Sequence, residues 1–239
     1  MTFRDYFDLV CVINLPQRTD RKREIVQELS RVGLWLAPGH IEVFPAVRPT
    51  EAAGFPTVGY RGCFMSHLNV LKKAKREKAR NVLIIEDDLT ISDRFQQDQA
   101  SLIEQLESQR WGMCYFGHGL DDPPRDVPTH LLPYDEQVML GHFYAVHHSM
   151  FDEMIDFHEA LLTRPVGHPD GGPQSHDGAL WTFRQKHPEC RTLVTSPNLG
   201  WQRSSMSDNT PKWFDRVMLL HQAAGMARKA KVWLRGHKA

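Results

Sequence analysis

The stretch "NVLIIEDDL", Asn81 to Leu89, decides the fold. Four apolar residues, Val82 to Ile85, run straight into three acids, Glu86, Asp87 and Asp88. A continuous apolar run of this length predicts a strand covered on both faces, as in a parallel sheet. In open α/β sheets ligands gather beyond the carboxyl ends of the strands, which is where these acids project. Neighbouring carboxylates about 5 Å apart repel by roughly 3 kcal/mol at an effective dielectric near 20. Two or three of them could hold Mg²⁺ or Mn²⁺, hard ions that take oxygen ligands and share a phosphate. A solvated acidic turn, or an acid capping the next helix, is the other reading and the commoner one for so short a motif.

Working outward, the same pattern recurs. "LVCVINL" (Leu9 to Leu15) is a second buried strand, followed by a helix opening near Asp20. That helix carries Ile25, Leu29 and Val32 at helical spacing and stops at Gly33. "IEVFPAV" (Ile41 to Val47) is a strand. A Gly- and Pro-containing loop (Pro49 to Gly62) leads to a helix beginning near Cys63, with Phe64, Leu68 and Leu71 inward and the basic run "KKAKREKAR" at its end. Downstream, "FQQDQASLIEQLESQ" predicts a helix and "WGMCYFG" a strand. "DDPPRDVPTHLLPYDEQ" reads as loop. A strand to about Val146 and a helix from about Ser149 follow, then a short helix in "HDGALWTFRQ" and a last strand in "RTLVTSP". Alternating strands and helices predict an α/β fold with a mainly parallel central sheet. A response-regulator receiver domain also opens on such a strand. It places its acids near the start of the domain, however, whereas eighty patterned residues precede Asn81. It also needs a later apolar strand ending in aspartate, and here prolines surround Asp126 and Asp135.

The chain of 239 residues is 41% hydrophobic and 24% charged, ordinary for a globular protein. Its 29 basic and 29 acidic residues cancel, so an anionic ligand must be held by local positive charge. Basic patches without a reader motif give no case for nucleic acid. No apolar stretch approaches the roughly 20 residues that span a bilayer. Arg4, Asp5 and Asp8 do not suit a signal peptide. Cys11, Cys63, Cys114 and Cys190 are scattered, which predicts buried thiols in a reducing compartment and a cytoplasmic location.

Candidate ligand groups lie upstream. "INLPQRTDRKREI" places Asn14, Arg18 and Arg21 around a helix N-terminus, where dipole and guanidinium both favour anions; a solvated first turn is the alternative. "GYRGCFMSHLNVL" sets Arg61, Ser66 and His67 at the start of another helix, although a lone helical histidine is usually structural.

The ordered set "VINLPQRTDRKREIV", "GCFMSHLNVL" and "LIIEDDL" resembles glycosyltransferase family 25, which includes lipooligosaccharide-type sugar transferases and the collagen galactosyltransferases. Weaker similarity continues through "GHFYAVHHSMFDEMI", "SHDGALW" and "SPNLGWQRSSMSDN". The resemblance implies a GT-A-like, Rossmann-type nucleotide-binding fold, here residues 1–211, with 212–239 left as a basic helical tail. It implies a nucleotide-sugar donor, UDP-linked, and Mn²⁺ or Mg²⁺ held by the acidic motif, with Asp88 the leading ligand, Glu86 behind it and Asp87 beside the donor. Asn14, Leu15, Arg18, Asp20 and Arg21 map to the nucleotide. Gly62, Cys63, Ser66 and His67 map to the donor side. "DDPPRDVPTHLLP" matches nothing in the family pattern, and Ser207-Asp208-Asn209 departs from it.

These residues suggest one chemistry: transfer of a hexose, galactosyl or glucosyl, to a hydroxyl of a saccharide or lipid-linked glycan, with inversion implied by the resemblance. A protein that binds the sugar nucleotide without turnover, or serves as a scaffold, is the alternative. Asp177 in "QSHDGALW" is the candidate general base, although an acid before a helix is also a common N-cap. His176 either supports it or is exposed. Gln202 and Asp208 are outer candidates for donor or acceptor contacts. In the tail, Arg228, Lys229, Lys231 and Arg235 flank Trp233, which suits either peripheral contact with the inner face of an anionic membrane or a solvated helix.

Overall fold

The computed structural model describes residues 1–120 and 127–203. Asp208, the boundary at 211 and the tail of 212–239 lie outside the described residues, and with them the expectations of a helical tail and a membrane contact. Among the described residues no helix is long and apolar enough to cross a membrane.

A short helix, α1 (Phe3–Tyr6), precedes β1 (Leu9–Asn14), all six residues of which are buried. Then come α2 (Thr19–Arg31), β2 (Ile41–Pro45), α3 (Val58–Arg76) and β3 (Asn81–Glu86). A brief β4 (Leu89–Ile91) leads to α4 (Asp93–Gln97), α5 (Gln99–Glu107) and β5 (Met113–Gly117). The chain continues through β6 (His130–Pro133), β7 (Phe143–His147), α6 (Phe151–Thr163), α7 (His176–Lys186), β8 (Thr192–Ser196) and β9 (Gly200–Gln202).

Seven strands form one sheet in the order β2-β1-β3-β7-β5-β8-β6, and β4 pairs with β9 in a separate ribbon. β1 is parallel to both β2 and β3, and β5 is parallel to β8. β7 runs antiparallel to both β3 and β5, and β6 to β8. Five strands therefore share one direction, and the expected α/β class with a mainly parallel central sheet is met.

Alternate residues of each buried strand feed two cores. Leu9, Cys11, Val82, Ile84 and Tyr144 face Phe64, Leu68 and Leu71 of α3 together with α6 and α7. Val10, Val12, Leu83, Ile85 and Phe143 face Ile25 and Leu29 of α2 together with α4 and α5. A sheet covered on both faces explains why its strands read as unbroken apolar runs. Helices α2 and α3 lie on opposite faces, so the winding reverses between β1 and β3. That switch point opens a crevice at the carboxyl ends of these two strands, marked by Asn14 and Glu86.

Three expectations need correction, and one ribbon was not foreseen. Helix α3 begins at Val58, earlier than Cys63, because the Thr57 side chain accepts from the Tyr60 amide and caps it. The helix expected over "FQQDQASLIEQLESQ" is two, broken at Asp98, whose carboxylate accepts from the Thr129 hydroxyl. Part of the proline-rich segment is strand β6, an edge strand, where proline is tolerated. The ribbon β4–β9 went unread because three-residue strands carry no periodicity.

Candidate functional site

Strand β3 ends at Glu86, whose amide donates to the His142 carbonyl at 2.9 Å. The chain turns through Asp87 and Asp88 and returns as β4. Arg203, just past β9, holds that turn. Its amide donates to the Asp88 carbonyl at 2.6 Å, and its guanidinium donates to the carbonyls of Asp87 (2.8 Å) and Leu89 (2.7 Å). A cation thus sits against the backbone of the acidic turn while the carboxylates point elsewhere.

The three acids meet different surroundings. Asp87 is buried: Asn14 Nδ2 donates to its Oδ2 at 2.7 Å and Arg21 Nη1 to its Oδ1 at 2.9 Å. Burial still lifts the Asp87 carboxyl above its ordinary range, against the pull of Arg21 and Asn14. For Glu86 burial pushes upward, but the hydrogen bond and charge of His67, with His142, outweigh it and hold the carboxyl below its ordinary range. His67 Nε2 stands 3.3 Å from Glu86 Oε1, Cys63 Sγ 3.6 Å from the same oxygen, and Gln202 Nε2 donates to Oε2 at 3.1 Å. Asp88 lies 3.2 Å from Arg21 Nη1 through Oδ2, while its Oδ1 is buried with no hydrogen-bond partner. Burial first, then the charge of Glu86, pushes the Asp88 carboxyl up to about 7.

Behind Glu86 the core is aromatic and polar. His67 Nδ1 meets the Tyr144 hydroxyl at 2.9 Å, and that hydroxyl meets His176 Nε2 at 3.1 Å. The rings of His67 and His176 stack at 3.7 Å. Burial holds the His176 pKa well below its usual value. His176 is therefore neither exposed nor a direct partner of Asp177; it packs inward while Asp177 turns toward the loop before β7.

The expected site residues divide into those gathered at the crevice and those used elsewhere. Asn14, Arg21, Asp87 and Asp88 form one bonded group and Cys63, His67, Gln202 and Glu86 a second, and the acidic turn joins the two. Leu15 continues from β1 and is half-buried. Arg18 forks onto Asp20, with Nε and Nη2 at 3.1 and 2.9 Å from its two oxygens, and holds that carboxyl well below its usual range. Ser66 is fully buried: its hydroxyl donates to the Gly62 carbonyl at 2.6 Å and accepts from the Val47 amide at 2.8 Å, tying α3 to the loop after β2. It thus joins two elements instead of facing the crevice. Arg61 likewise donates to the Glu51 carbonyl at 2.9 Å. Asp177 accepts from the amides of Leu140 (3.0 Å) and Gly141 (2.8 Å), and the cap of α7 is Ser175. Arg203, Tyr144 and His142 were missed by sequence reasoning; they lie in the weaker family-like segments "GHFYAVHHSMFDEMI" and "SPNLGWQRSSMSDN", but strand pairing alone brings them to the acidic turn.

The donor chemistry fits a hard divalent ion. A buried carboxylate oxygen without a partner, beside a second carboxylate held anionic, is costly unless a cation completes it.

The resemblance to glycosyltransferase family 25 is borne out. The family model described as glycosyltransferase family 25 (LPS biosynthesis protein) matches residues 40–116, which include α3 and the acidic turn. Procollagen galactosyltransferase 2 of Mus musculus is 26% identical over 148 residues, covering 52% of this chain and 23% of that protein. The Homo sapiens protein described as inactive glycosyltransferase 25 family member 3 is 23% identical over 145 residues, covering 53% and 24%. The matched segment thus spans about a quarter of these curated relatives. A solved glycosyltransferase involved in the glycosylation of the major capsid of PBCV-1 aligns with a TM-score of 0.47 and 12% identity, over 79% of this chain and 81% of that one.

Proposed function

We infer, taking the kinship with glycosyltransferase family 25 as premise, that this chain is a metal-dependent hexosyltransferase. It moves galactose or glucose from a UDP-linked donor to a hydroxyl of a saccharide or lipid-linked glycan, with inversion. The observation that carries the reading is the buried, unpartnered Asp88 Oδ1 beside Glu86, at the crevice where the sheet winding reverses.

Asp88 and Glu86 would hold the divalent ion, Mn²⁺ or Mg²⁺. When bound, such an ion offsets the charge that gathers on a departing diphosphate. Arg21 fixes Asp87 and Asp88 together, and Asn14 locks Asp87 from the other side, so the acidic turn is organised before any ligand arrives. Arg18 and Leu15 border the donor, and Gln202 reaches the same carboxylate from the β9 side. Asp177 takes the proton of the attacking hydroxyl. Two backbone amides orient its carboxylate, and roughly two of its four lone-pair sites stay available.

A second reading, binding without transfer, has one observation in its favour: Asp177 is already engaged by two amides, as a purely structural acid would be. A named relative is itself described as inactive. Release of UDP from UDP-galactose, UDP-glucose and UDP-N-acetylglucosamine, measured with manganese and with a chelator, separates the two. Manganese-dependent release with any of the three donors supports transfer. Manganese-dependent binding without release from all three leaves a binding protein.

A further inference from the structure

We propose that Cys63, His67 and Glu86 form a second metal site, selective for a borderline-soft divalent ion of the zinc class. Cys63 and His67 stand four residues apart on α3 and therefore share one face of that helix. Strand β3 delivers Glu86 to that face. The Sγ, Nε2 and Oε1 atoms all lie within 4.8 Å of one another. The Sγ–Oε1 separation is 3.6 Å and the Nε2–Oε1 separation 3.3 Å. Ligand atoms around tetrahedral zinc, at bonds of about 2.0–2.3 Å, stand roughly 3.3–3.8 Å apart. Two of the three edges already have that length.

The shell around His67 suits ligation. Metal-bound histidine generally donates its other ring N–H to a fixed partner. Here Nδ1 faces the Tyr144 hydroxyl at 2.9 Å, and that hydroxyl can in turn donate a hydrogen bond to His176 Nε2 at 3.1 Å. Without metal His67 Nε2 is hydrogen-bonded to Glu86; a cation between them displaces that Nε2 proton and takes both atoms as ligands. Stacking on His176 at 3.7 Å holds the ring in place. The thiolate, the carboxylate and the neutral imidazole together balance a double positive charge. Thiolate and imidazole favour zinc over magnesium or manganese, which prefer oxygen. Three protein ligands leave one position open, as in exchangeable sites and unlike closed structural ones. Glu86 belongs to this set and to the oxygen set of Asp88, so a soft ion here takes a carboxylate from the proposed donor site.

Cobalt reports the site without any assay of transfer, so it stands or falls apart from the proposed function. Added to the metal-free full chain, Co²⁺ should give a thiolate-to-cobalt charge-transfer band in the near ultraviolet. Zn²⁺ should bleach that band and Mg²⁺ should not. Asp88→Asn should keep it and Cys63→Ser should lose it. In the unsubstituted protein, zinc should also slow alkylation of Cys63, followed by peptide mass spectrometry. Absence of the band in the unsubstituted protein, its survival in Cys63→Ser, or an unchanged alkylation rate at Cys63 overturns the proposal. If cobalt binds in this way but no sugar nucleotide is turned over, the transferase reading fails and this site remains.

Discussion

At the scale of single residues, Asp88 and Asp177 carry the sharpest consequences. Asp88 is a carboxyl whose folded pKa, about 7, lies above its ordinary 3.8. The folded chain therefore binds more protons than the unfolded chain across that interval. The contribution of Asp88 to metal-free stability falls as pH rises from about 4 through 7. Asp88→Asn removes this charge while keeping shape, so in chelator the variant should be more stable than the parent by about 1–2 kcal/mol at pH 8. The gain should fade toward pH 4; thermal unfolding at both pH values checks it, and a variant weaker at pH 8 contradicts the assignment of Asp88 as a buried acid that Arg21 only partly offsets. Asp177 behaves differently. Its two oxygens accept from Leu140 and Gly141, and an asparagine there sets an NH₂ against one backbone amide. Asp177→Asn should cost about 1–3 kcal/mol in denaturant unfolding. A loss of turnover far beyond that fraction unfolded supports the proton-acceptor role; turnover that follows stability alone removes it.

At the scale of elements, the seam between α3 and the loop after β2 sets the position of His67. A Cβ on Gly62 would stand 2.6 Å from the Val47 carbonyl oxygen and 3.1 Å from the Pro49 ring. Ser66 clamps the same seam from one turn further on. Alanine is the better helix former by about 1 kcal/mol, but the clash is with backbone that cannot swing aside. Gly62→Ala should therefore lose a net 1–3 kcal/mol or so and shift the His67 imidazole resonances in NMR spectra. A neutral or stabilising outcome would mean that the loop yields easily. The motif "GCFMSH" was legible as a unit in the sequence, yet its division of labour was not. Gly62 and Ser66 seat the helix, while Cys63 and His67 face Glu86. Helical periodicity gives the faces of α3, but what each face meets depends on β2 and β3.

At the scale of the whole molecule, two cores pack on either side of the one sheet whose strand ends border the crevice. Binding of a ligand there must appear as global stability. A ligand at a hundred times its dissociation constant adds about 2.7 kcal/mol, or roughly 5–10 °C in a chain of this size. Manganese with UDP should raise Tm by that amount at saturation, and manganese with Asp88→Asn should not. An equal rise in the variant would place the ion elsewhere. The long apolar strands β1, β3 and β5 and the capped helices α2 and α7 were readable because burial on both faces and helix ends write themselves into consecutive residues. The ribbon β4–β9 and edge strand β6 were not, since strands of three or four residues are too short to carry a periodicity.

The sequence by itself determined the α/β class, the edge at which the acids gather, and the kinship that points to sugar nucleotides, because each depends on residues close together in the chain. Only the tertiary structure decided which acid is which. Arg21 and Asn14 claim Asp87, His67 holds Glu86, and Asp88 keeps an oxygen with no partner. Three adjacent carboxylates look alike in one dimension. Burial and the charges brought to them from distant segments make them unequal, since desolvation and Coulomb energy depend on distance through space rather than along the chain.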